Sequence, residues 1–173
     1  MTDTRARIRR HVESNPGVHF NAIGRELDIA TGQTQYHLRK LLREERLISE
    51  QVCGRTHYFT DEFSEAERAA IALLRRETTR DIVIELLRRD ELPPDTLADR
   101  VGVARSTVEW HLSNLIDNGL AEKQYYGREV AVRLTDPDTV RQLLVEVDPT
   151  IADRLVDRFT RLVDGLLESP SPE

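Results

Sequence analysis

Apolar residues recur at helical spacing in two stretches, Glu26 to Gln51 and Arg100 to Lys123, and the two patterns superimpose at an offset of 74. The offset pairs Leu27 with Val101, Ile29 with Val103, Thr34 with Val108, Tyr36 with Trp110, His37 with His111, Leu38 with Leu112 and Leu41 with Leu115. In each stretch a short helix ends on an apolar residue, a three-residue turn follows, and a second helix carries core residues at i, i+4 and i+7. The opposite face of that second helix is left free. A pair of helices joined by a tight turn is therefore present twice.

The flanking pattern completes each copy. Thr4 to Ser14 reads as an arginine-rich helix with Ile8 and Val12 on one face, stopped by Asn15-Pro16-Gly17. Val18-His19-Phe20 is a short extended piece, and Asn21 is the expected N-cap of a second helix that turns Ala22, Ile23 and Leu27 inward. After the turn Asp28-Ile29-Ala30, a third helix is expected from Thr31 to about Arg46, burying Thr34, Leu38, Leu41 and Leu42. Leu47 to Gln51 and Thr56 to Thr60 read as strands around a Cys53-Gly54-Arg55 turn. Three helices and a hairpin make a winged helix-turn-helix.

The second copy repeats this. Ser64 and Glu67 form a capping box that opens a connecting helix to about Arg76, with Ala70, Ile71, Leu73 and Leu74 apolar. A helix from about Thr79 to Arg89 follows, then the Pro93-Pro94 break, with Asp95 as the expected cap of a helix ending at Val101. Ser106 and Glu109 suggest another capping box, for a helix that Gly119 stops. Leu120 to Gln124 and Glu129 to Leu134 form a second hairpin, whose tip Gly127-Arg128 is matched to Gly54-Arg55. Asp136-Pro137 and Asp148-Pro149 each read as an N-cap followed by proline at the first helical position. The expected fold class is mainly α with small β wings. Its parts are a first winged unit over residues 1–62, a helical connector over 63–77, a second winged unit over 78–135, and C-terminal helices with a frayed tail over 136–173.

Composition narrows the function classes. With 39% apolar and 32% charged residues the chain can bury a core. No run approaches a membrane span and MTDTRARIRR lacks the apolar centre of a signal peptide, so the expected compartment is the cytoplasm, with no membrane partner. A single cysteine, Cys53, rules out a disulfide framework. His37 and His111 repeat at one helical position with no second ligand at i±4, which favours structural histidines over a metal site. Cys53 beside Arg55 is read as an incidental turn residue rather than a thiol sensor. No motif requires a cofactor, and no phosphate-binding glycine loop, Gly-x-Ser-x-Gly or His-Glu-x-x-His is present, so the chain is not expected to be an enzyme.

The net charge of −6 hides an uneven distribution. Residues 1–60 carry 10 Lys and Arg against 7 Asp and Glu, a net +3, whereas residues 61–135 carry 11 against 15 and residues 136–173 carry 4 against 9. The first copy is the basic one. Only Lys40 and Lys123 are lysines; with the acidic surplus, this bias resembles that of halophilic archaea.

The chain resembles the winged helix-turn-helix regulators of the ArsR and MarR groups, closest along Val101-Gly102-Val103-Ala104-Arg105-Ser106-Thr107-Val108, His111-Leu112 and Asn118-Gly119-Leu120. The tandem arrangement is similar to small haloarchaeal transcription regulators. The resemblance implies a DNA-binding regulator whose third helix enters the major groove and whose wing meets the DNA backbone. The implied readers are Gln33, Gln35, Tyr36, Arg39, Lys40 and Arg43 with Arg55 in copy one, and Arg105, Thr107, Glu109, Trp110 and Ser113 with Arg128 in copy two. Gln and Arg can each place two hydrogen bonds on a base edge, while Lys and Arg meet phosphates. Glu109 and Asp117 repel phosphate, so copy two is left open between DNA and a protein contact. Two departures stand in copy one: Thr31-Gly32-Gln33-Thr34 replaces the arginine-serine-threonine-valine pattern, and Glu45-Arg46 stands where glycine is usual. The alternative is a winged-helix module that bridges proteins of the transcription machinery without reading bases. A last helix with Ile151, Leu155, Phe159, Leu162 and Leu166 in one stripe is expected to hold a homodimer, with folding back onto copy two as the competing arrangement.

Overall fold

The computed structural model describes residues 3–151. Copy one consists of α1 (Thr4–Ser14), β1 (Val18–His19), α2 (Phe20–Leu27), α3 (Thr31–Arg43), β2 (Ile48–Val52) and β3 (Arg55–Phe59). The connector is α4 (Glu65–Leu74). Copy two consists of α5 (Glu77–Arg89), β4 (Glu91–Leu92), α6 (Pro94–Val101), α7 (Arg105–Asp117), β5 (Ala121–Tyr126) and β6 (Glu129–Leu134), and α8 (Pro137–Val147) follows. The copies form equivalent antiparallel sheets, ordered β1-β3-β2 and β4-β6-β5. The fold is mainly α with two small β wings, in tandem.

Where local chemistry decides a boundary, the expectation holds. Ser64 and Glu67 satisfy both halves of the capping box at the start of α4, at 3.3 and 2.8 Å. Asp136 accepts the amide of Thr139 at 3.1 Å, with Pro137 at the first helical position of α8. Inside the two repeats the caps differ from expectation. His19, not Asn21, caps α2: its Nδ1 accepts the Ala22 amide at 3.3 Å and Phe20 joins the helix. Pro93 precedes α6, so Asp95 falls within its first turn. Ala104 precedes α7, which leaves Ser106 and Glu109 inside the helix and no capping box there.

α3 stops at Arg43 rather than about Arg46, because Glu45 turns to φ 55° and the Arg46 amide bonds back to Leu41 at 2.9 Å. Copy two closes identically, with Gly119 at φ 71° and the Leu120 amide on Leu115 at 2.8 Å. The reversal delivers Leu47 and Ala121 into the core. The wing turns are two-residue loops, Cys53-Gly54 between Val52 and Arg55, and Gly127-Arg128 between Tyr126 and Glu129. Matching the tips by glycine is thus out of register: Arg128 lies in its loop, whereas Arg55 opens β3.

Copy one has its own core of Ile8, Val12, Val18, Ala22, Ile23, Ile29, Leu38, Leu41, Leu47 and Tyr58. The other core begins in the first wing, at Val52 and Phe59, continues through Ala70, Ile71, Ala72, Leu73 and Leu74 of α4, and reaches α5, α6, α7 and α8. Every residue from Ala70 to Leu74 is buried, so α4 is a central element rather than a spacer. Gly17 sits beneath it at φ +76°, and a Cβ there would lie 2.8 Å from Ile71 Cγ2. Ile151, expected at the head of a dimerisation stripe, is 2% exposed and packed in this intramolecular core. Its burial against its own chain removes it from any exposed seam. Leu155, Phe159, Leu162 and Leu166 lie outside the described residues.

Candidate nucleic-acid interface

α2 and α3 approach closely because Gly24 stands at their crossing, where a Cβ would meet Ile29 O at 3.3 Å and Thr34 Oγ1 at 3.4 Å. Thr34 is fully buried and its hydroxyl donates to Ala30 O at 3.2 Å, anchoring the start of α3. No side chain caps α3 or α7, so their first-turn amides have no side-chain acceptor among the described residues.

The free face of α3 divides into two rows. Gln35 and Arg39 face a groove of about 520 Å³ between α3 and the first wing, where Arg55, Gly54 and Thr56 meet them across from His19, Phe20 and Asn21. Gln33, Tyr36, Lys40 and Arg43 follow one another at spacings of 3, 4 and 3 along the neighbouring row. Of these, Tyr36 is 60% exposed and Lys40 is half-buried. The structure therefore gathers Gln35, Arg39 and Arg55 at one groove and places the other four expected readers beside it. Asn21, His19 and Thr56 border the same groove; beyond polarity the sequence carries no signal for them, and the cap expected of Asn21 is supplied by His19.

Among the described residues, Arg39, Lys40, Arg43 and Arg55 form no ion pair. The equivalent surface of copy two is different. Arg105 is held by Asp95 at 2.6 Å and by Glu109 at 3.7 Å, and Lys123 lies 4.0 Å from Glu109. Thr107 is half-buried and Ser113 exposed. Trp110 is 47% exposed, and the Arg76 guanidinium lies 5.3 Å from its ring centroid. Arg128 is exposed at the tip of the second wing, and Arg105 is the one Lys or Arg of α7.

The first wing leans on copy two. Cys53 takes φ 50°, its thiol donates to Asn114 Oδ1 of α7 at 3.1 Å, and Arg76 donates to its carbonyl at 2.9 Å. That sequence-distant contact, 61 residues apart, could not be read from spacing. His111 is 8% exposed and shares a 2.9 Å hydrogen bond with the Thr79 hydroxyl, which gives it a structural role. Its pKa is lowered by burial and then by Arg76. His37 is half-buried against Tyr36, ring centroids 5.2 Å apart.

Comparison with known proteins bears on both halves. Residues 2–71 match the family model HTH_HVO_0163_N, an N-terminal HTH domain, and residues 75–122 match the winged helix-turn-helix DNA-binding model. No curated protein is similar enough to match. Among solved structures, an ArsR-like transcriptional regulator from Rhodococcus sp. RHA1 is similar, with 27% identity, 61% of this chain and 95% of that one covered, and a TM-score of 0.41. A MarR family transcriptional regulator from Silicibacter pomeroyi DSS shows 25% identity over 60% of this chain and 76% of that one, at 0.41. The homodimeric winged helix-turn-helix DNA-binding domain of Mb0332 from Mycobacterium bovis shows 19% identity over 57% and 95%, also at 0.41. Together the two matches run over most of the chain, which therefore carries two helix-turn-helix domains in tandem, the second of the winged helix-turn-helix DNA-binding family.

Proposed function

We propose that this protein is a sequence-specific DNA-binding transcriptional regulator of the cytoplasm that reads its site through α3 and the adjoining side of the first wing. The observation that carries this is the contrast between the two reading helices: Arg39, Lys40, Arg43 and Arg55 form no ion pair among the described residues, whereas Asp95 and Glu109 flank Arg105. An exposed ion pair of this kind opens at a cost of about 0–1 kcal/mol. The two carboxylates stay behind, however, and repel the phosphates that would have to approach. Among the described residues, no carboxylate lines the groove between α3 and the first wing. Gln35 and Arg39 are the residue types that place two hydrogen bonds on adenine and guanine edges, and Arg55 stands across the groove for the backbone.

In this reading α7 serves as a brace. Trp110, Asn114 and Cys53 tie it to the connector and the first wing. We further propose that the protein acts as a homodimer through Leu155, Phe159, Leu162 and Leu166, so that a two-fold axis presents two α3 helices to paired half-sites.

A gel-shift series on fragments of the protein's own promoter region, with excess competitor DNA, tests the function. One fragment should shift and resist competition. Uniform shifting of every fragment, abolished by competitor, would reduce the activity to non-specific phosphate binding.

A further inference from the structure

Behind the reading surface, on the side of copy one that faces the connector, lies a cleft of about 240 Å³. It is walled by Asn15 and Gly17, by His19 of β1, by Arg25 and Glu26 of α2, by Arg55 and His57 of β3, and by Arg75 and Arg76 at the end of α4. Four arginines thus meet one carboxylate in a protein whose net charge is −6. That carboxylate is already engaged: Glu26 lies 3.1 Å from His11 Nε2 and 3.6 Å from Arg25.

Of the other three guanidinium groups, two meet neutral partners. Arg75 places Nε and Nη2 on Pro16 O, at 2.9 and 2.8 Å. Arg76 donates to Cys53 O and covers Trp110. Neither these two nor Arg55 forms an ion pair among the described residues; Glu26 and Asp148 act on Arg75 only as more distant charges. The remaining wall carries a polar atom without a partner. His57 is 2% exposed and its Nδ1 lies 2.7 Å from Gly17 O, so Nδ1 must donate, because a carbonyl only accepts. Its Nε2, across the ring, is buried without a hydrogen bond among the described residues. A buried nitrogen left in that state costs free energy unless something meets it.

We propose that this cleft binds a small oxyanion, the phosphate or carboxylate group of a metabolite, at the joint between the first winged unit and the connector. Guanidinium forks are suited to two-oxygen ligands, and His57 Nε2, which burial holds unprotonated, could accept the hydroxyl proton of a partly protonated phosphate or carboxyl group. The volume admits a small ligand rather than a cofactor-sized one. His19 and Arg55 line both this cleft and the groove beside Arg39, so an occupant would sit one residue deep behind the reading surface. Binding itself does not depend on α3 reading DNA.

The test uses the full chain without DNA, titrated at constant ionic strength with inorganic phosphate and, separately, with succinate, and followed by amide shifts in NMR. Saturable shifts centred on Gly17, His19 and His57 with either anion support the site, and the tighter of the two names the group. Arg25→Gln with Arg55→Gln, both surface changes, should weaken binding at least about tenfold, whereas Arg89→Gln, removing an exposed arginine elsewhere, should leave it unchanged. Non-saturating shifts with both anions, or equal weakening by Arg89→Gln, would overturn the proposal.

Discussion

Glu45 and Gly119 close α3 and α7 in the same left-handed turn, at φ 55° and 71°, but only one of them is suited to it. A side chain held at positive φ costs roughly 1–2 kcal/mol, of which glycine's greater freedom in the unfolded chain returns about half. Glu45→Gly should therefore stabilise the protein by about 0.5–1 kcal/mol, and Gly119→Ala should destabilise it by about 1 kcal/mol, both read from urea denaturation. Nothing lies within 4 Å of a Cβ at Gly119, so backbone strain alone is measured there. The histidines give a second residue-scale expectation. Burial lowers His57 first, with His19, Arg76 and Arg55 adding to it, and lowers His111 and His19 as well, all from an ordinary value of 6.5. The unfolded chain therefore takes up these protons before the folded one. Stability is complete above about pH 6.5 and falls as the pH drops toward the depressed folded values. Urea midpoints measured from about pH 7.5 to 5 should decline, and His57→Gln should remove part of the slope; flat midpoints would contradict the burial of these rings.

At the scale of elements, the joint between the first wing and α7 is structural. Trp110→Ala should cost about 1–2 kcal/mol of stability, through the lost Arg76 contact and packing, while leaving DNA affinity unchanged. Equilibrium unfolding and DNA titration on the same preparation check both halves of that statement. The same joint marks the limit of what periodicity could provide. Helix faces were legible, because Leu38, Leu41, Leu112 and Leu115 repeat at core spacing and are all buried. Caps were legible only outside the repeats: Ser64 and Asp136 behave as side-chain chemistry requires, whereas Asn21, Asp95 and Ser106 do not. Within a helix-turn-helix the start of each helix is set by how the tight turn packs, which allows Ala30, Ala104 and Pro93 as caps. β4 left no trace in the sequence. Two residues pair with β6 because that strand has a free edge, and no propensity window registers so short a segment.

Across the whole molecule, α4 changes the architecture from two units on a string to a shared core that runs from Val52 and Phe59 to α8. The basic surface of copy one was legible from residue counts. The anionic frame around Arg105 was only half legible: Glu109 is a helical neighbour, but Asp95 reaches it from another helix, ten residues away. The dimer expectation must likewise give up Ile151, now a core residue, and rest on the stripe that begins at Leu155. Sedimentation of the full chain against one ending at Ala152, which retains Ile151, should show a dimer and a monomer respectively; a dimer in both places the interface elsewhere. The central claim is that copy one reads the DNA, and a single comparison of affinities bears on it most directly. Arg39→Ala with Lys40→Ala should weaken binding to a shifted promoter fragment by about 1–3 kcal/mol per base-contacting residue, while Arg105→Ala with Arg128→Ala stays near the parent. Parent-like affinity in the first variant together with lost binding in the second would contradict the account.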